Sequence, residues 1–326
     1  NQIYFSICCF VKIILNKKPN LIISLTNPPP IIIGVFLAKK IYKIPYIVIA
    51  MDLYPEVLLK NLSKSISILL NALVTPIFNN AYRSASRVVS LGESMSKKLR
   101  SKGVSKNKIV IIRNWGLGDF KIIKAPNKLS KDWNISSEVT LIYSGNLGVA
   151  HEWETLLQAL KLSKLKPNKL KILFVSSGTK INKAKTFAEK FLPHDSVIFK
   201  PLVSTESLPL TFGLADMAVV SLRSTYDGLV SPSKFSGYLA RGLPILFIGS
   251  DPELKKIIEA NDAGEVFSPG DSELLAKYLI NIQKNKLKLK RQGNNALKYY
   301  ENNISKEVGL QKYAQLINNY KSYFSK

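Results

Sequence analysis

Along the chain, short unbroken apolar runs alternate with longer stretches in which apolar residues recur every three or four positions. The runs at 21–25, 46–50, 87–91, 108–112, 139–143, 171–175, 197–199, 217–222 and 244–248 are rich in Ile and Val and lack polar alternation. Runs of this kind predict strands buried on both faces, as in a parallel sheet covered by helices. Between them the spacing predicts helices over 153–162, 182–191, 235–240 and 253–260. Strand–helix alternation predicts an α/β chain of the doubly wound kind.

The alternation runs twice. It pauses over 116–137, a polar stretch rich in Lys and Asn that holds Pro126 and has no apolar period. At 326 residues the chain exceeds one ordinary domain. The expected division is a first domain at 1–118, a linker at 119–136 and a second domain at 137–304. A last helix over 306–324 places Leu310, Tyr313, Ile317, Tyr320 and Phe324 on one face, expected to be packed. A further stripe, Ile66, Leu69, Leu70, Leu73 and Ile77, is followed by Arg83 and Arg87. It reads either as a core-packed helix or as a helix lying on a membrane surface. The charge-dense run at 284–291 reads as a solvated helix face.

Composition narrows the class. The chain is 46% hydrophobic and 21% charged, with 17 Gly and 16 Pro, which excludes collagen, disordered and disulfide-scaffold chains. Two adjacent cysteines, Cys8 and Cys9, build no disulfide framework and suggest a reducing compartment. The formal net charge is +25 and it is uneven: residues 1–135 hold 21 Lys/Arg against 5 Asp/Glu, the remainder 26 against 17. A basic half suggests a polyanionic partner: an anionic membrane face, phosphorylated ligands or nucleic acid. No basic tract has the spacing of a nucleic-acid motif, so nucleic acid is not expected. No apolar run reaches the length of about 20 residues that crosses a bilayer.

In open α/β sheets ligands bind beyond the carboxyl ends of the strands. The run 139–143 leads into Ser144-Gly145-Asn146-Leu147-Gly148 and then a helix from about Glu152. Two glycines let backbone approach a ligand, and a helix start offers free N–H groups, so the segment reads as a phosphate or diphosphate cradle. It is neither G-x-G-x-x-G nor a P-loop. A plain tight turn is the alternative. The run 217–222 leads into a polar loop and then Ser231-Pro232-Ser233-Lys234, where two hydroxyls and a cation meet a helix start. The alternative here is Ser231 as a helix cap, with Pro232 at the first helical position and Lys234 solvated. Asp52 and Glu56 follow the run 46–50, at the carboxyl edge of the first sheet. One of them can orient the hydroxyl of a bound ligand or take its proton; alternatively Asp52 caps the next helix and Glu56 sits in its first turn. No Asp-x-Asp pair or His/Cys/Asp cluster has metal spacing.

The segments 143–148 and 231–244 resemble the donor-binding domain of family-4 glycosyltransferases, which have the GT-B fold. Asp52-Leu-Tyr-Pro-Glu56 and Arg113-Asn114-Trp115 resemble a subgroup that builds bacterial exopolysaccharide, capsule or O-antigen units. The resemblance spans roughly 21 to 270. It implies two Rossmann-like domains and retaining transfer of a sugar from a nucleotide-diphosphate donor to a saccharide acceptor. The second half would hold the nucleotide, and the helix at 305–326 would pack back on the first half. Gly145, Asn146, Leu147 and Gly148 would lie by the donor phosphates, with Ser231, Ser233 and Lys234 opposite and Phe199 to Leu202 flanking the base. Glu206 and Leu208 are weaker candidates there. Many members carry two glutamates eight positions apart; the matching positions here are Leu229 and Gly237, and Asp227 is a candidate substitute. The first domain starts partway through the family pattern, so it is expected to be incomplete. The two histidines, His151 and His194, lie in the second half; His151 adjoins the glycine loop and can touch the donor.

From these residues the expected mechanism is metal-independent and needs no cofactor, with Lys234, hydroxyls and helix starts stabilising the departing diphosphate. The expected acceptor is lipid-linked, reached by peripheral attachment at the inner, cytoplasmic face of the plasma membrane. Two other readings stay open: a sugar-nucleotide 2-epimerase of the same fold, and a truncated, inactive nucleotide-sugar binder.

Overall fold

A computed structural model of the chain describes residues 2–15, 19–60, 62–116, 118 and 121–320. The chain divides into two units. The first comprises Asn1–Asn114, Tyr226–Ser231 and Glu307–Lys326; the second comprises Trp115–Thr225 and Pro232–Lys306.

The first unit holds a parallel sheet in the order β1-β2-β3-β4, formed by Ile22–Leu25, Tyr46–Ala50, Arg87–Ser90 and Ile109–Ile111. The two inner strands are almost wholly buried, which is why they read as pure apolar runs. One face carries Ile32, Val35, Phe78, Tyr82 and Leu99 against Tyr46 and Val48. The other face carries Ile47, Val89 and Ile112 beneath Leu316 and Tyr313 of the helix Lys306–Asn318. The expected stripe on that helix is therefore rotated: Leu316 and Tyr313 pack, whereas Leu310 and Ile317 stay exposed. Phe324 lies outside the described residues.

The second unit holds six parallel strands in the order β10-β9-β8-β5-β6-β7. They are β5 Val139–Ser144, β6 Leu170–Val175, β7 Val197–Lys200, β8 Met217–Ser221, β9 Ile245–Ile248 and β10 Gly264–Phe267. The order reverses at β5, which neighbours β6 on one side and β8 on the other. Ligands of doubly wound sheets bind at such a switch point. The strands β6, β8 and β9 are buried along their whole length, while the edges β7 and β10 are half-buried.

One expectation changes here and another holds. The described part of the expected linker, 121–136, belongs to the second unit: Ile123 and Ala125 donate N–H bonds to Pro209 O (2.9 Å) and Gly213 O (3.0 Å), and Lys128–Asp132 is a short helix capped by Asn127. The run 284–291 is largely exposed, as expected of a solvated helix face. It opens the helix Lys286–Asn303, whose Lys288 pairs with Glu265 of β10 (2.5 Å) and whose Arg291 pairs with Asp262 (2.9 Å).

Candidate functional site

The loop after β5 sits at the switch point and is stitched to the end of β6. Gly145 N–H donates to Val175 O (2.9 Å), Leu147 N–H to Ser177 O (2.7 Å), and the Ser176 hydroxyl to Gly145 O (2.6 Å). Gly145 adopts φ +114°, in the left-handed region that favours glycine. A Cβ there would also lie 2.9 Å from Lys234 Cε. The side chain of Leu147 is fully buried in the core, so this residue offers the site backbone only.

The helix Ser233–Leu239 is fastened beside this loop through Tyr238, whose hydroxyl accepts the Ser144 N–H at 2.7 Å. Tyr143 donates its hydroxyl to Asn146 O at 2.9 Å. These two tyrosines are the residues the sequence reading missed. Their signal was a hydroxyl within an otherwise apolar packed segment, because a buried Tyr needs a hydrogen-bond partner.

Lys234, in the first turn of that helix, extends over the loop. Its Nζ donates to Asn146 O (3.1 Å), lies 3.5 Å from His151 Nε2 and stands 4.8 Å from the centre of the Tyr143 ring. Burial lowers its pKa to about 8. It makes no ion pair among the described residues. His151 is lowered to about 4, first by burial and then by the Lys234 charge. The result is a cation held at the carboxyl end of the central strand, beside backbone that a ligand can approach.

Other expected donor-side residues have different surroundings. Ser233 is exposed at the start of its helix. The helix begins one residue later than the capping alternative required: Pro232 occupies the cap and no side chain caps it. Phe199 stacks its ring on Phe174 (5.2 Å between centres, 11° between planes), forming part of the core wall, and Leu202 beyond β7 is exposed. Arg223, after β8, is engaged by Glu154 (2.5 Å) and Glu152 (3.5 Å), and Glu152 in turn accepts from the Thr155 N–H and hydroxyl.

Asp227 and Ser231 fall in the short segment that belongs to the first unit, together with Asp52 and Glu56. In that segment Leu229 is buried in the first unit's core, and its carbonyl accepts the Leu53 N–H at 2.8 Å. Asp52 is held through its backbone by Thr26, whose hydroxyl donates to Asp52 O (2.9 Å). Its carboxylate lies 3.5 Å from the Tyr54 hydroxyl, and burial raises its pKa. It does not cap the next helix, Glu56–Leu59, which is preceded by Pro55. Glu56 requires a correction. Its carboxylate is ion-paired with Lys102, whose side chain is only 5% exposed. A carboxylate committed to a buried ammonium is a counter-ion and not a free base.

Among the described residues, no group of three or more His, Cys, Asp or Glu side chains is placed to hold a metal ion. None of their helices is long and apolar enough to cross a membrane.

Two α/β units built on parallel sheets, the second with a glycine loop and a lysine where its strand order reverses, fit the GT-B fold. The family model of glycosyl transferases group 1 matches residues 127–299, and the chain belongs to that family. It is 26% identical over 308 residues to the probable glycosyltransferase WbjE of Pseudomonas aeruginosa, spanning 92% of this chain and 75% of that protein. Among solved structures it resembles sucrose-phosphate synthase from Thermosynechococcus elongatus, with TM-score 0.78 at 15% identity, covering 98% of this chain and 78% of that one. It also resembles Anabaena HepE in complex with UDP, with TM-score 0.73 at 14% identity, covering 97% and 82%. At these identities the structural likenesses establish the fold.

Proposed function

We propose that this glycosyltransferase takes its sugar from a nucleotide-diphosphate donor whose diphosphate rests on the Gly145–Gly148 loop beneath Lys234. One observation carries the reading: an ammonium without a carboxylate partner among the described residues lies over a glycine loop at the strand-order reversal. UDP and UDP-glucose in the HepE complexes support the same donor class. Charge that develops on the departing diphosphate is neutralised by Lys234, with no metal required, and transfer retains the anomeric configuration. Asp52 orients the acceptor hydroxyl or accepts its proton. The test is a nucleotide-sugar screen read by nucleotide release. Lys234→Ala is expected to lower kcat about 100- to 1000-fold with the melting temperature preserved. Unchanged turnover sinks the role of Lys234, and loss of activity in EDTA sinks metal independence.

The acceptor is a lipid-linked saccharide met at an anionic membrane face, the inner face of the plasma membrane. The first unit supports this. Ile3, Tyr4 and Leu15 of the helix Gln2–Leu15 are 66–78% exposed, and Leu69 and Leu73 of Lys64–Ser84 are 65% and 62% exposed. The helix Ile31–Tyr42 packs against both and exposes Leu37 and Ile41 as well. Apolar helix faces on a basic half suit an interfacial position. Cosedimentation with vesicles of anionic lipid is expected, weakening with salt and with Leu69→Asp/Leu73→Asp. Absence of vesicle binding removes the membrane part and leaves the donor site untouched.

A further inference from the structure

We propose that His151 is a second hydrogen-bond donor to the diphosphate, its Nε2–H directed beside the Lys234 ammonium. The inference rests on the donor-site reading and adds a residue to it. A neutral imidazole has one N–H and one lone pair, and the partners of the two nitrogens decide which carries the proton. Here the Gly148 N–H donates to Nδ1 at 3.1 Å, while the His151 N–H donates back to Gly148 O at 3.1 Å. This reciprocal pair locks the turn and occupies the Nδ1 lone pair, which leaves the proton on Nε2. Burial supports the neutral ring, since the charged form is favoured only below pH about 4. The Tyr143 ring meets the imidazole edge-on at 6.0 Å between centres and fixes its plane.

Nε2 lies 3.5 Å from Lys234 Nζ. An ammonium has no lone pair, so an Nε2–H cannot donate to it: two donors face each other with no acceptor between them. Lys234 spends one hydrogen on Asn146 O and keeps two. An anionic oxygen placed about 2.8 Å from both nitrogens turns this mismatch into two charge-assisted bonds. A diphosphate oxygen, carrying negative charge that grows as the sugar departs, is the chemistry that fits.

The chain has two histidines, and the other, His194, is exposed, so an imidazole nitrogen spectrum of labelled protein holds two residues. Inorganic pyrophosphate serves as ligand because it is independent of the donor's base. The expected free spectrum shows His151 as the Nε2–H tautomer, and pyrophosphate shifts that signal while His194 stays put. His151→Phe is expected to weaken pyrophosphate about tenfold, and His151→Gln, which restores an N–H, to recover part of the loss. An Nδ1–H tautomer, or an unmoved Nε2 signal at saturating pyrophosphate, overturns the inference and leaves the donor site standing. Failure of the unaltered protein to bind pyrophosphate overturns the donor-site reading and this inference with it.

Discussion

Lys234 should make ligand affinity and fold stability respond to pH in opposite directions. Its pKa is about 8 in the folded chain, against the ordinary lysine value of about 10.4. Roughly 90% of it is charged at pH 7, half at pH 8 and about 10% at pH 9. If only the ammonium holds the diphosphate, the dissociation constant for UDP-glucose rises about tenfold between pH 7 and pH 9, or about 1.4 kcal/mol. Binding at pH 8 should take up about half a proton, because the anion draws the lysine back to its charged form. Stability without ligand goes the other way. The unfolded chain binds the proton that the folded chain has released between pH about 8 and 10, so Lys234 makes unfolding harder as pH climbs through that window. The groups facing Lys234 do not blur the effect: His151 titrates at about 4 and burial pushes Tyr143 far up. Calorimetric titration of UDP-glucose in two buffers of different ionisation enthalpy measures both affinity and proton uptake. The diphosphate diester has no proton to exchange in this range, and the uracil N3–H, which begins to ionise only at its alkaline end, is accounted for by the same titration on Lys234→Met. Affinity that stays flat from pH 7 to 9 with no proton uptake would refute the reasoning. Lys234→Met should give weak, pH-independent binding.

Gly145→Ala places a Cβ in a left-handed backbone position 2.9 Å from Lys234 Cε, so it should cost about 1–2 kcal/mol in stability and at least about tenfold in UDP-glucose affinity; unchanged affinity in titration would show that Lys234 does not need its observed seat. Glu56→Gln leaves the buried Lys102 without its counter-ion and should lower urea stability by about 2 kcal/mol, with much of that returned by adding Lys102→Met and with pyrophosphate affinity unchanged. A loss of pyrophosphate affinity in Glu56→Gln would restore a site role for that carboxylate.

The strands were legible where burial on both faces removed polar residues from the run, as at 139–143 and 217–222. The edge strand β10 was not, because it is short, half-buried and carries Glu265, whose charge is answered by Lys288 from a later helix. The helix Ile31–Tyr42 follows three prolines and is apolar on most sides, so periodicity had little contrast to report. The glycine loop and Lys234 were visible because strand-end glycines and a basic residue in a helix start are local signals. The Glu56–Lys102 pair was invisible: the partners stand 46 residues apart, and only the folded chain brings them together. The Leu69 and Leu73 stripe could be seen, but not its exposure, because packing and membrane contact leave the same periodic trace.

Leu229 and Gly237, the two positions at which the family resemblance places glutamates, differ here for separate physical reasons. Leu229 is 6% exposed and packs within the first unit's core, where its backbone also holds Leu53. A glutamate at that position forfeits the burial of a leucine, worth about 2–3 kcal/mol, and adds the cost of desolvating a carboxylate. Leu229→Glu should therefore lower stability by about 3 kcal/mol or more, and the loss should shrink toward low pH, where the acid is neutral. Gly237 is different: a Cβ built there meets nothing within 4 Å, and its φ lies outside the left-handed region. Within the helix Ser233–Leu239, replacing glycine removes unfolded-state freedom, so Gly237→Glu should be neutral or stabilising by about 0.5–1 kcal/mol. Urea unfolding of the two single variants separates the cases. A tolerated Leu229→Glu would mean that the first unit's core does not depend on the inserted segment as the packing of Leu229 requires, and a destabilised Gly237→Glu would mean that the space beside that glycine is not open to a side chain.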